Sequence, residues 1–153
     1  MTNWQIITIA DLEDYLLAPQ LAAIRTAALA PGQDDPVERA IQDVVIEVRN
    51  RVAQCGTNTI SPTAGTIPPE LVRHACYLIL EAAQGRIPSL SLEDFQVRMA
   101  NEARRIMREV GQCDFHITQP SDGVPTDDVI SGGGARVVKQ RDRNASPSQM
   151  NGL

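Results

Sequence analysis

The feature that most limits the fold is a long run of apolar residues at helical spacing. Asp35, Pro36 and Glu38 form a start signal, because aspartate caps a helix, proline suits its first turn and glutamate completes a capping box. The apolar residues that follow lie three or four positions apart: Ile41, Val44, Val48, Val52 and Cys55. The pattern predicts one amphipathic helix over 35–55, with charged residues such as Arg49 on its outer faces.

Shorter helices are predicted on either side of the long one by similar signals. Thr8 followed by Asp11 begins a helix that runs to Leu17, and Pro19 begins another that ends before Pro31. After the long helix, residues 56–67 are small and polar and contain proline and glycine, which indicates a loop or a loose hairpin.

Two more helices are predicted after this loop. The first begins at Pro68 and Pro69, ends at Gly85 and is apolar over most of its circumference, which is typical of a central helix. Its predicted narrow polar strip consists of Arg73, His74, Tyr77 and Glu81. The second is capped near Ser91 and ends at Gly111. Its predicted apolar side consists of Phe95, Met99, Ala103, Ile106 and Val110.

Composition favours the same fold class. Aromatic residues are only 3% of the 153 residues, so the core must consist mainly of Ala, Val, Ile and Leu, which suits packed helices. We therefore predict an all-α protein, a small bundle of four to five helices, with a long and largely irregular C-terminal extension. The helical body is predicted over 1–111 and an extended docking arm over 112–153, which lacks a helical period.

The predicted arm has two properties of a binding segment. Its acidic residues precede its basic ones, and short β-prone pairs flank the glycines at 132–134. Such a segment can add to the sheet edge of a partner and order on binding. The predicted partner-binding residues are Val129, Ile130, Arg136, Val137, Val138, Lys139, Arg141 and Arg143.

Several functional classes are disfavoured by the residues present. Lys139 is the single lysine among fourteen basic residues, and it lies in a polar stretch unsuited to Schiff-base chemistry or a phosphate loop. No spacing of histidine and cysteine gathers metal ligands, so no metal and no cofactor are predicted. No apolar run reaches the roughly 20 residues that cross a membrane. We expect the three cysteines, Cys55, Cys76 and Cys113, to be reduced thiols in a cytosolic setting.

Two candidate sites are weighed against simpler interpretations. Cys113, Asp114 and His116 resemble a nucleophile set, but a loop tripeptide lacks the rigid scaffold that catalysis needs. We therefore expect no enzymatic activity.

The arginines from 98 to 108 could contact nucleic acid, yet interspersed glutamates and a net charge of −5 favour a subunit interface. The predicted subunit-interface residues are Arg98, Glu102, Arg105 and Glu109, with ion pairs at Arg98/Glu102 and Arg105/Glu109.

The order of segments resembles one known family. In this chain the order begins with the segment Ile7-Thr8-Ile9-Ala10-Asp11-Leu12-Glu13-Asp14-Tyr15-Leu16 and continues with the helix over 35–55 and the polar loop. It ends with the segment Ile67-Pro68-Pro69-Glu70-Leu71-Val72-Arg73-His74-Ala75. Over about residues 6–111 this resembles the head-to-tail connector, or adaptor, proteins of tailed double-stranded DNA bacteriophages.

The resemblance implies a structural role without enzymatic activity. It implies a subunit of a homo-oligomeric ring, commonly of twelve copies, that docks on the portal protein and joins the capsid to tail or stopper proteins of the neck. DNA would pass through the ring without sequence-specific binding. The implied location is the neck of the virion, and the host cytoplasm during assembly. The alternative from the residues is a small helical regulatory protein that binds nucleic acid through its Arg-rich helix face.

Overall fold

Five helices and one short two-stranded sheet make up the part of the chain that the structure describes. The computed structural model describes residues 1–16, 18–27, 32, 35–85 and 92–123. The elements in chain order are β1 (Gln5–Ile6), α1 (Ile9–Glu13), α2 (Ala18–Ala27), α3 (Pro36–Gln54), β2 (Thr66–Ile67), α4 (Pro69–Gln84) and α5 (Asp94–Gly111). The predicted all-α class and small helical bundle are confirmed.

Three helices, α1, α3 and α4, begin where their start signals predict, and α5 is an exception. Asp11 Oδ2 accepts a hydrogen bond from the backbone N–H of Thr8 at 2.6 Å, and Asp35 Oδ1 accepts one from Val37 N–H at 2.9 Å. The exception is α5, where Gln96 Oε1 accepts from the N–H of Glu93, the capping residue, at 3.1 Å. Ser91, the predicted cap, lies outside the described residues.

The core surrounds α4, which packs against both α3 and α5, and these two helices also contact each other. Its buried residues include Leu71, Ala75, Ile79 and Leu80, so the predicted central helix is confirmed. Tyr77 is only 5% exposed, so its assignment to the polar strip is wrong. Tyr15, just after α1, covers it, with a distance of 5.3 Å between the ring centroids.

The buried stripe of α5 also differs from the prediction at its first turn. Ala103, Ile106 and Val110 are buried as expected, but Phe95 is 49% exposed and Gln96 is buried instead. A glutamine in the first turn serves as a cap partner, which a period of apolar residues does not reveal.

The small sheet ties the N-terminus to the loop between α3 and α4. β1 and β2 are antiparallel, with Gln5 opposite Ile67 and Ile6 opposite Thr66. The predicted loop over 56–67 therefore ends in a strand, and its partner is the N-terminal segment rather than a neighbouring part of the loop.

Residues 112–123, here named the C-terminal strap, pack along the body after α5. Thr118 O accepts a hydrogen bond from the Trp4 indole Nε1–H at 2.9 Å, and Ser121 N–H donates to Asn3 Oδ1 at 2.8 Å. Ile117 and Pro120 are buried. The predicted boundary at Gly111 matches the end of α5, but the strap buries apolar surface that the interpretation of 112–153 as an extended arm did not expect. Residues 124–153 lie outside the described part.

None of the helices in the described ranges combines the length and apolar character that a bilayer-spanning helix requires.

The burial pattern predicts the effect of truncating two isoleucines. Ile79 of α4 is fully buried, whereas Ile46 of α3 is 57% exposed. We expect Ile79→Ala to lower the free energy of unfolding by about 3 kcal/mol, because it leaves a cavity in a close-packed core. Ile46→Ala is the matched control and should change stability by less than about 0.5 kcal/mol. Urea denaturation checks both, and equal losses would contradict the packing described.

Candidate functional site

The four predicted subunit-interface residues lie on the outer side of α5, with Arg105 at the centre of their ion pairs. Arg105 Nε donates to Glu102 Oε2 at 3.0 Å, and its Nη1 donates to Glu109 Oε1 at 2.6 Å. The predicted pair Arg105/Glu109 is confirmed, but Glu102 pairs with Arg105 rather than with Arg98. The spacing of three residues is as favourable as four, so Arg105 competes with Arg98 for the same carboxylate.

The ion pairs shift the ionisation of this surface. Hydrogen bonding from Arg105 lowers the pKa of the Glu102 carboxyl, and the same contact raises the pKa of Arg105. Arg104 forms a further ion pair with Glu81 of α4. Phosphates would have to compete with these carboxylates for Arg104 and Arg105, which disfavours the nucleic-acid alternative.

Two apolar side chains are exposed at the beginning of α5. Phe95 is 49% exposed and Val97 is 42% exposed, and at a spacing of two residues they lie on different sides of the helix. The Phe95 and Tyr77 rings pack edge to face, with 6.4 Å between their centroids. An exposed aromatic side chain next to an arginine-rich strip is typical of surfaces that bind other proteins. The sequence pattern missed the exposure of Phe95, because it assigned this residue to the core.

A groove of about 450 Å³ lies between α3, α4 and α5. Apolar and charged side chains share its lining, which consists of Val44, Glu47, Arg51, Leu78, Glu81, Ala82, Arg104, Met107 and Arg108. On α5 the groove is lined by Arg104, Met107 and Arg108, so it lies beside the surface formed by the ion pairs of Arg105 and not on it. Its mixture of charged and apolar groups suits a contact between folded proteins.

His74 lies on the side of α4 that faces the ion pairs of α5. Burial and the neighbouring Arg73 guanidinium lower the pKa of its imidazole, while Glu102 opposes the shift. Among the residues that the structure describes, its buried Nδ1 atom has no hydrogen-bond partner.

Arg49 makes the contacts that the sequence pattern missed. It was expected on an outer face of α3, but its Nη1 donates to Thr66 O at 2.7 Å and its Nη2 to Ser61 O at 2.7 Å. Its guanidinium carbon also lies 5.9 Å from the centroid of the Trp4 ring. The guanidinium thus joins α3 to the following loop and to the N-terminal segment. These contacts join residues 17 and 12 positions apart, which helical spacing does not reveal.

The cysteines differ from the prediction of three reduced thiols. Cys55 and Cys113 form a disulfide, with 5.3 Å between their Cα atoms, so the prediction is wrong for this pair. Cys76 is a buried free thiol, as expected. The nucleophile hypothesis for Cys113, Asp114 and His116 fails in this oxidised form, since a disulfide sulfur is not a thiolate.

The remaining predictions concern the cap at Asp35, a metal site and the partner-binding residues. Asp35 caps α3 and pairs with Arg25, with 2.7 Å between Asp35 Oδ2 and Arg25 Nε. In the part of the chain that the structure describes, no three His, Cys, Asp or Glu side chains are grouped as a metal site would require. The predicted partner-binding residues from Val129 to Arg143 all lie outside the described residues.

Comparison with known proteins adds no assignment, because neither a protein-family model nor a curated protein matches this chain.

The contacts of Arg49 generate a stability prediction. Arg49→Met keeps an apolar stem but leaves the carbonyls of Ser61 and Thr66 without their donor. We expect a loss of about 3 kcal/mol in the free energy of unfolding, because unpaired buried polar groups are costly. Arg39→Met, at an exposed position of the same helix, is the control and should change stability by less than about 0.5 kcal/mol. Similar values for the two variants in urea denaturation would refute the anchoring role.

His74 predicts a dependence of stability on pH. Its lowered pKa means that the unfolded chain binds a proton at a higher pH than the folded protein does. The stability from neutral His74 is therefore complete above the unfolded pKa of about 6.5 and is lost as pH falls below it. We expect His74→Gln to reduce the fall in unfolding free energy between pH 7 and pH 5. His116→Gln, at an exposed position, is the control, and an unchanged pH slope in His74→Gln would contradict the account.

Proposed function

We propose that this protein is a structural virion component, a subunit of the head-to-tail connector ring of a tailed bacteriophage. The observation that carries the proposal is the order of its segments. A short capped helix, a long helix, a polar loop and a central helix that begins at Pro69 follow one another in the chain. This is the order on which the resemblance to the connector proteins rests.

The outer surface of α5 supports a role in assembly. It combines the exposed Phe95 with the paired charges around Arg105. In a ring, each subunit presents one surface to the next copy and receives it on a different surface. The α5 surface and the groove beside α3 are the two regions that we propose for these contacts.

The C-terminal residues supply the proposed contact with the portal. The strap ends at Gly123, beside Thr59 and Pro120, so a longer segment continues from a defined point on the body. Its segregated charges and short β-prone pairs suit an extended segment that orders on its partner. The partners proposed are the portal protein, neck proteins on the tail side and further copies of this chain.

The proposal predicts different results for two truncations. A chain ending after Gly123 keeps every described contact of the strap, whereas one ending after Gly111 loses Cys113 and the contacts to Trp4. We expect the first to keep the wild-type helical circular dichroism and thermal midpoint but to bind the cognate portal at least about tenfold more weakly. The second should lose stability as well, since it exposes apolar surface.

Co-sedimentation with purified portal, with either protein in excess, measures the binding. The full chain should co-sediment and form rings visible by electron microscopy, and binding should weaken as salt rises if the charged segment contributes. Absence of both complex and ring for the full chain would refute the proposed function. Filter binding to duplex DNA should be weak, and tight binding would favour the regulatory alternative.

A further inference from the structure

The Cys55–Cys113 disulfide lies where three parts of the fold meet. Cys55 directly follows α3, and Cys113 comes two residues after α5, at the start of the C-terminal strap. The two helix ends approach so closely that a Cβ atom on Gly111 would lie 2.8 Å from Gln54 Oε1. The bond therefore fastens the beginning of the strap to the ends of both helices.

The two sulfur atoms have different surroundings. Cys55 is buried at 2% exposure, whereas Cys113 is exposed and has a φ of 68°, in the left-handed region that non-glycine residues rarely adopt. The hydroxyl of Thr57 donates to Cys55 Sγ at 3.1 Å and lies 3.9 Å from Cys113 Sγ. Cys113 is thus the more exposed end of the bond, and Cys55 Sγ has the nearer hydrogen-bond donor for a developing thiolate.

The third cysteine does not interfere with this pair. Burial raises the pKa of the Cys76 thiol to about 12, so it is protonated near neutral pH. Because exchange requires a thiolate, Cys76 does not compete for the disulfide.

We propose that Cys55–Cys113 is a redox-responsive clasp, which a dithiol reductant opens at Cys113 to loosen the first half of the C-terminal strap. Exposed disulfides are the ones that exchange readily with thiols in solution. The inference concerns the oxidation state of the body and does not depend on the connector function.

The exchange proceeds in two steps. A thiolate of the dithiol attacks Cys113 Sγ, the S–S bond breaks, and its electron pair leaves on Cys55 Sγ, which takes a proton from water. The second thiolate of the reductant then attacks the reductant's first sulfur, which is bonded to Cys113 Sγ in the mixed disulfide. This bond breaks, and its electron pair leaves on Cys113 Sγ, which is also protonated. Two electrons and two protons pass to the cysteines, and the dithiol becomes a cyclic disulfide. Thr57 acts as a positioning residue that stabilises the departing Cys55 thiolate.

Opening the clasp affects the two halves of the strap unequally. The N–H groups of Cys113 and Asp114 donate to Val110 O and Glu109 O, next to the bond that is broken. Further along, Ser121 N–H remains bonded to Asn3 Oδ1 and Thr118 O to the Trp4 indole. Reduction should therefore release the residues beside Cys113 and leave the end of the strap attached.

Hydrogen exchange of the full chain, with and without dithiothreitol, tests the clasp. We expect the amides of Cys113 and Asp114 to exchange at least about tenfold faster after reduction relative to the amide of Ser121. Cys113→Ser should reproduce the pattern without reductant. The proposal is overturned if oxidised protein contains no disulfide, if the bond is reduced only on unfolding, or if all amides of the strap and α4 accelerate equally or none does.

The role of Thr57 has a separate test. Thr57→Val removes the hydroxyl, whereas Thr57→Ser keeps it. With dithiothreitol as the probe and alkylation followed by mass spectrometry as the readout, we expect reduction several-fold slower in Thr57→Val and near the wild-type rate in Thr57→Ser. Equal rates in the two variants would exclude thiolate stabilisation by Thr57.

Discussion

The folded body depends on one guanidinium group, that of Arg49. It binds the carbonyls of Ser61 and Thr66, which belong to the loop and strand between α3 and α4. It also lies over Trp4, whose indole N–H holds the strap at Thr118 O. Through these contacts a single side chain of α3 connects the N-terminal segment, the central loop and the C-terminal strap. Arginine suits this position because its planar group carries several donors at fixed angles.

Local signals made the helices predictable. Asp35 and Pro36 mark the beginning of α3, and the apolar period of α4 identifies it as the central helix, so both agree with the structure. The β1–β2 pairing and the disulfide join residues about 60 positions apart, and no short-range pattern records such contacts. The strap was missed because its few apolar residues have no period, although Ile117 is buried.

The candidate site was predictable in part. The charged outer side of α5 follows from helical spacing, and the Arg105/Glu109 pair is present. The choice of Glu102 between Arg98 and Arg105 depends on side-chain conformation, which spacing alone leaves open. The exposure of Phe95 depends on where α5 begins relative to α4, and this is a property of the packed fold.

These features suit a protein that works by contacting other proteins. The strap is attached to the N-terminal segment as far as Ser121, while charged and apolar groups remain exposed on α5. The disulfide adds a covalent bond between the end of α3 and the start of the strap. The connector proposal assigns the outer side to neighbouring copies and the terminal segment to the portal.

Electron cryomicroscopy of the particle neck tests the connector proposal most directly. The account predicts a ring of this protein against the portal, with the α5 side of each copy in contact with its neighbour and density for residues after Gly123 on the portal surface. A neck that lacks this protein, or a ring whose copies meet without α5, would contradict it.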